Sequence, residues 1–562
     1  MEVASFVIGT SGLISVAQMC IKAAQIVDGM KTFREETATL FAVYQFEYVR
    51  FNLWITQVLR VPVSIDDLQN LSLKDAEIPA ILTSESPVDL RLPLHNALND
   101  VKRILMVVGD LLEKYGAKDK KPSVKARIAF RTRVYREGGK ESLLALLTEF
   151  KNWNDRLEGI VESRLRSTLI SNMQVHVLAS ASTVEQLQTI EVASSSLHPA
   201  LSNEAAFRRN LLEIEAQSST AWFNLRKPAE DVSPRRAPTT KDGDLKALGR
   251  LARSGTTSQV VLQEWKFGQL DWTDTQITEA EDRAGSLASI LNLDKKPENL
   301  RCLDLVGWTT VDTQIAQSDT KRLDFCFLYK IPTFANETLE PLSLRAALLL
   351  ENERDLPTLM EKFTIALVVA KSILAFHSNR WLHKAVCSSN VLFFKDKQSG
   401  RPVFEPYMSG FEFARPDTAK DKTLDAFGGT DFDIFSHPDL VQTIYSGNSI
   451  KPRYQRQYDI YGLGMTLLEI GCWKPMVKYV KMKPPGRSYH NMFVKVCNEA
   501  IPTRMGTLYR DVIMKCFEWK PDAEKVEAGF ADTEEGKLER RTQIEDFMYS
   551  VVNILEGCHC HN

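Results

Sequence analysis

The sequence has almost no net charge: 70 Lys and Arg stand against 72 Asp and Glu, a balance of -2. No global field therefore draws the chain to nucleic acid, and any electrostatic function must be local. Internal repeats and low-complexity tracts are also missing. With 44% hydrophobic residues, 27 Gly and 23 Pro, wholesale disorder and a collagen-like chain are both excluded. Cysteines are few and odd in number, nine in all and mostly within apolar runs, so a reduced intracellular chain is expected rather than a disulfide framework. The N-terminus lacks the charged start, short apolar stretch and small-residue cleavage site of a secretory signal. Val3 to Ile21 nevertheless contains no charged side chain at all. At 562 residues the chain exceeds what one core supports, so two domains are expected, with three as the upper bound.

What is present first is helical periodicity. Phe41, Tyr44, Tyr48, Phe51, Ile55 and Val58 recur at steps of three and four, as do Leu94, Leu98, Val101, Leu105, Val108, Leu112 and Tyr115. Leu143, Leu147, Phe150, Leu157 and Val161 continue the pattern after Gly138-Gly139. The spacing predicts an all-α bundle of antiparallel helices over residues 1–220. The stretch KPAEDVSPRRAPTTKDGD, from Lys227 to Asp244, carries three prolines and almost no large apolar residue, which places a linker over 221–245. Beyond it, SQVVLQEWKF and LDFCFLYKIP read as strands, whereas Leu359, Phe363, Leu367, Ala370, Leu374 and His377 share a helical face. Strands first and helices later predict an α+β domain over 246–562.

Four ordered landmarks in this second domain resemble the protein kinases. In WLHKAVCSSNVLFF, His383 and Asn390 match the catalytic-loop pattern His-Arg-Asp, four residues, then Asn; Lys384 replaces the Arg and Ala385 the proton-accepting Asp. In MSGFEFARP, Phe411 matches the Asp-Phe-Gly segment, with Gly410 at the metal-binding Asp and Glu412 at the Gly. His437-Pro438-Asp439 resembles the Ala-Pro-Glu end of an activation segment. The run from Tyr458 to Gly471 is similar to the helix that follows, in which Asp459 stands at a position that braces the catalytic loop in that family. The resemblance implies a bilobal fold without phosphoryl transfer, since alanine accepts no proton and glycine offers Mg²⁺ no oxygen. No G-x-G-x-x-G precedes the first strands; Gly249 and Gly255 are too sparse to cradle phosphates. Lys266 is the candidate third-strand lysine, with Glu279 or Glu281 as its partner, and the sequence leaves ATP binding through Lys266 and Asn390 open. A rival expectation is an atypical kinase that uses Glu412 or Glu405 to hold metal. Another is a plain scaffold.

The segments Met1 to Met30, Phe33 to Val58 and Lys125 to Val161, the last with its glycine pair and Asn-Asp-x-Leu-Glu run, resemble the fungal HeLo domain, the prion-inhibition and propagation family. That resemblance implies a bundle that self-associates and whose N-terminal segment leaves it to permeabilise a membrane. The candidate inserting residues are Val3, Phe6, Val7, Ile8, Gly9, Gly12, Leu13, Ile14 and Val16. Nineteen uncharged residues form a marginal span, diluted by Ser5, Thr10, Ser11, Ser15 and Gln18. From periodicity alone the segment reads as a buried core helix. From Lys114 to Lys140, ten basic residues outnumber Asp119 and Glu137, a local excess of eight charges. Lys118, Lys120, Lys121, Lys125, Arg127, Arg131 and Arg133 are the candidate lipid-headgroup contacts, with a solvated face as the alternative. The halves together resemble the mixed-lineage kinase domain-like necroptosis effectors. The function implied is a cell-death or incompatibility effector, cytoplasmic until an activating protein or ligand sends it to the plasma membrane. The tail Cys558-His559-Cys560-His561 has no zinc-site spacing, and a frayed end is expected there.

Overall fold

In the computed structural model the chain divides into two units, Met1–Ala205 and Ala206–Asn562. The structure describes residues 10–59, 90–117, 123–161, 163–216, 223–234, 245–252, 258–268, 272–294, 296–314, 321–411, 414–416, 434–445, 454–480, 489–519, 543–544 and 546–560.

The described part of the first unit is helical. Its elements are α1 (Thr10–Asp28), α2 (Lys31–Glu36), α3 (Ala38–Val58), α4 (Arg91–Tyr115), α5 (Val124–Arg136), α6 (Gly139–Gly159), α7 (Ser163–Ser180) and α8 (Val184–Ser194), and α9 (Pro199–Ala216) runs over the boundary. α1 packs on α4, α3 packs on α6, α7 and α8, and α4 packs on α6. The stripe from Leu94 to Leu112 is buried along α4 at every predicted position, and Leu143, Leu147, Phe150 and Leu157 are buried along α6. α1 is the buried core helix that periodicity alone predicts. It starts at Thr10, Leu13, Ile14 and Val16 are buried in the core, and no helix among the described residues is long and apolar enough to cross a membrane. The described part of the marginal span expected over Val3–Ile21, residues 10–21, is therefore the first part of a core helix. Val3, Phe6, Val7, Ile8 and Gly9 lie outside the described residues.

The second unit is α+β. Strands β1 (Val232–Pro234), β2 (Lys246–Ala252), β3 (Ser258–Phe267), β4 (Leu305–Gln314) and β5 (Lys321–Lys330) form an antiparallel sheet in the order β1-β2-β3-β5-β4. Between β3 and β4 runs α10 (Asp274–Leu291), started by a capping box in which Thr273 and Gln276 satisfy each other's backbone donors. Part of the expected linker is in this sheet. β1 pairs Val232 with Leu251, and Val232 joins Leu251, Val261, Trp265, Cys326 and Leu328 in one cluster. Composition missed it because an edge strand is ordered by ladder hydrogen bonds and one apolar side chain suffices to anchor it.

After the sheet come β6 (Leu342–Ser343), α11 (Leu344–Ala347), α12 (Leu359–Ser378), β7 (Trp381–Leu382), β8 (Val391–Lys395), β9 (Pro402–Met408) and β10 (Arg415–Pro416). Helices α13 (Pro438–Tyr445), α14 (Arg456–Cys472), α15 (Val477–Val480), α16 (His490–Met505), α17 (Thr507–Glu518) and α18 (Asn553–Cys560) complete it. In α12 the predicted face is only partly right: Leu359 is exposed, and Ile365, Ala366, Val369, Ile373 and Phe376 supply much of the buried surface. α18 corrects the frayed end, because its helix reaches Cys560 with Cys558 buried.

Candidate functional site

The loop from Trp381 to Asn390 is held from beneath by one buried carboxylate. Asp459, on α14, accepts the backbone N–H of His383 and of Lys384 at 2.8 Å each, the hydroxyl of Tyr454 at 2.9 Å, and lies 3.2 Å from His377 Nε2. Burial would raise its pKa, but the hydrogen bond and charge of His377 outweigh that and keep it below the ordinary value. These bonds hold Lys384 in the left-handed region, φ 65°, with its ammonium 5.4 Å from the Tyr454 ring centre. His383 is fully buried between Phe376 and Phe411, at ring separations of 5.4 and 5.2 Å. That burial lowers its pKa to about 4, against the pull of Asp459, so the ring is neutral near pH 7. Pro438 and Asp439 open α13, where proline's missing N–H costs nothing and the acid meets the helix N-terminus.

Opposite this loop the sheet contributes a lysine that the sequence reading passed over. Lys246, the first residue of β2, donates to Asn390 Oδ1 at 2.6 Å and to the Ser389 carbonyl at 3.2 Å, and stands 3.6 Å from Glu264 Oε1 on β3. Glu264 in turn accepts the Gly410 N–H at 2.7 Å and the Tyr329 hydroxyl at 3.0 Å. Asn390 spends its amide N–H on the Ala385 carbonyl, at 2.8 Å. Gly410 has φ 82°, and a Cβ there would overlap the Asn390 side chain. The expected third-strand lysine, Lys266, lies half-buried opposite Phe325 in the register of β3 and β5. Its expected partners are engaged elsewhere, Glu281 with Arg226 at 2.8 Å and Glu279 with Arg283 at 3.9 Å. Gly249 serves packing, since the Gln263 side chain fills the place of its missing Cβ.

Chemically the arrangement is closed. An ammonium already sits on the asparagine oxygen, so a divalent cation placed there would face a fixed positive charge. Gly410 can carry no side chain without displacing that asparagine. Mg²⁺ does not fit at the Asn390 oxygen while Lys246 occupies it. Glu405 is exposed and lies 3.8 Å from Arg301, and Glu412 is outside the described residues. The signal that could have found Lys246 is Glu264 itself, because a carboxylate inside an apolar strand must have a partner.

The first unit holds a second polar cluster, which also escaped the sequence reading. Arg50, on α3, donates to Glu158 at 3.0 and 2.7 Å, to Glu47 at 2.9 Å and to Asp155 at 2.7 Å. Glu47 also meets His198 Nε2 at 2.7 Å and accepts from Asn154 at 2.9 Å. Burial disfavours the charge on Arg50, but Glu47 and Glu158 outweigh it and hold its pKa above the ordinary value. Burial likewise pushes Glu47 up, and His198, Arg50 and Asn154 bring it down below the usual carboxylate range. Asn154, Asp155 and Glu158 are the polar members of the run quoted above for its resemblance. Of the basic cluster, Lys125, Arg127, Arg131 and Arg133 lie on α5, with Arg127 paired to Glu36. Lys118, Lys120 and Lys121 are outside the described residues. No described protein family matches the chain, and no curated protein is detectably similar to it.

Proposed function

We propose that the chain is a signalling effector in which a non-catalytic kinase-like domain governs a membrane-permeabilising, HeLo-like helical bundle. The observation that carries the non-catalytic half is the closed polar cluster: Lys246 on Asn390, and Gly410 seated where no side chain fits. The kinase-like half is supported by three landmarks at one place. Asp459 binds the loop that contains Ala385 and Asn390, and Gly410 and Phe411 pack against that same loop. The membrane half is supported by the apolar start of the chain and the basic charge on α5.

Because Leu13, Ile14 and Val16 lie in the core, insertion requires two states: a closed one with α1 in the bundle and an open one with α1 released. An activating partner acts only as far as it binds the open state more tightly than the closed one. Leakage from dye-loaded vesicles tests this with the full chain, the chain lacking residues 1–30, and Val7→Lys. Leakage by the full chain that both changes abolish is the expected result. Equal leakage from all three sinks the proposal, as does Mg²⁺-dependent phosphoryl transfer by the unaltered chain.

A further inference from the structure

The thiols, which ordinarily meet an oxidant first, are shut away among the described residues. Burial raises the pKa of Cys20 to about 12, against the pull of Lys102, and its Sγ donates to the Leu98 carbonyl at 3.1 Å. Burial likewise raises Cys302, Cys326, Cys387, Cys472, Cys497 and Cys516. Peroxide attacks the thiolate, so these sulfurs are slow targets at neutral pH. The exposed sulfurs among the described residues are thioethers: Met19 (37%) on α1 and Met106 (52%) on α4.

Met19 differs from Met106 in what it touches. Its Sδ accepts from the Lys102 ammonium, on α4, at 3.4 Å. Lys102 is half-buried, and among the described residues no carboxylate pairs with it. A thioether is one of the weakest acceptors a side chain offers. The cation between α1 and α4 thus has hydrogen-bonding capacity to spare, and a stronger acceptor at the same sulfur would take it up.

We propose that Met19 is a reversible oxidation site and that its sulfoxide, held by Lys102, fastens α1 to α4. A sulfur lone pair attacks the nearer oxygen of hydrogen peroxide, and the O–O bond breaks with its electron pair on the far oxygen. That oxygen takes the proton from the oxygen now on sulfur and leaves as water. Sulfur is oxidised by two electrons and the peroxide is reduced by two. The new S–O oxygen accepts from the ammonium as a charge-assisted hydrogen bond, stronger than the contact it replaces. Oxidised methionine ordinarily disrupts a core, because a polar group is forced into apolar surroundings. Met19 is exposed, so its oxygen avoids that cost. A methionine sulfoxide reductase with a dithiol as electron donor reverses the step, releasing water. α1 is also the helix released in the membrane-acting reading, so oxidation opposes release; that consequence rests on the reading, whereas the fastening of α1 does not.

The test treats the full chain with hydrogen peroxide, locates the added oxygen by peptide mass spectrometry and follows amide hydrogen exchange along α1. The expected result is oxidation of Met19 ahead of any cysteine, with α1 amides exchanging about fivefold more slowly. Met106→Leu should keep that slowing. Met19→Leu, a swap of similar volume, should abolish it. Lys102→Met should leave Met19 oxidisable and remove the slowing. The proposal falls if Met19 stays unoxidised while Met106 or a cysteine is converted, if oxidised Met19 leaves α1 exchange unchanged or faster in the unaltered chain, or if Lys102→Met keeps the slowing. Vesicle leakage answers the other question: slower α1 exchange with unchanged leakage, or with no leakage from any form, leaves the fastening standing and ends release of α1 as the opening step.

Discussion

On the kinase-like reading proposed above, supplying carboxylates at positions 385 and 410 should not create an enzyme. In the double variant Ala385→Asp, Gly410→Asp carboxylates stand where the proposed kinase-like reading expects a proton acceptor and a metal ligand, yet Gly410 sits at φ 82° against the Asn390 side chain. A non-glycine residue in that region costs about 1–2 kcal/mol. Asn390 must then move, which breaks its 2.8 Å bond to the Ala385 carbonyl and the 2.6 Å bond from Lys246. Each buried polar group left unsatisfied costs about 1–3 kcal/mol, so the total is about 3–8 kcal/mol. That is comparable with the whole stability of an ordinary domain. Urea unfolding followed by tryptophan fluorescence measures the loss. Gly410→Ala is the control: if shape rather than charge is the cause, alanine alone accounts for most of the drop. A double variant that unfolds at the unaltered urea midpoint and transfers phosphoryl groups from Mg²⁺-ATP would refute the reasoning.

Arg50→Met should destabilise the first unit by about 3–5 kcal/mol in urea, because it leaves Glu158 buried with no cation and Glu47 with His198 alone. Lys246→Met is expected to cost the second unit about 3 kcal/mol in the same assay, through Glu264 and Asn390. The buried His383 predicts a pH effect. Its folded pKa, about 4, lies below the ordinary 6.5, so the folded chain binds fewer protons than the unfolded chain between those values. Its share of stability is complete above pH 6.5 and is lost as pH falls through that window, about 3 kcal/mol in all. Glu469, pushed up to about 7 by burial, opposes this, because its stabilisation is present at acid pH and fades as pH rises toward 7. The discriminating measurement is therefore the difference between His383→Leu and the unaltered chain, which should shift in the variant's favour by about 3 kcal/mol from pH 7.5 to pH 4. A pH-independent difference refutes it.

The helices were legible because their signal is local. Leu94 through Leu112 repeat at helical spacing within one element, and burying that stripe requires only that something pack against it. The strands SQVVLQEWKF and LDFCFLYKIP were legible for the same reason. The interactions that close the site were not, because they join distant positions: Lys246 meets Asn390 across 144 residues, and Arg50 meets Glu158 across 108. Periodicity assigns a residue to a face and says nothing of which opposite charge will come to it. Lys266 illustrates the limit. It has the right residue type on the right strand, yet the strand that brings its first residue to Asn390 is its neighbour, β2. Val232 errs in the opposite direction, since a segment poor in apolar residues was ordered by the edge of a sheet.

The guanidinium of Arg50 is the shared counter-ion of carboxylates on two helices, while Glu47 holds His198 at the threshold of α9. Separating α3 from α6 would strand a charge in the core, whereas α1 carries no member of the cluster. The cluster thus ties α3, α6 and the start of α9 together as one electrostatic unit.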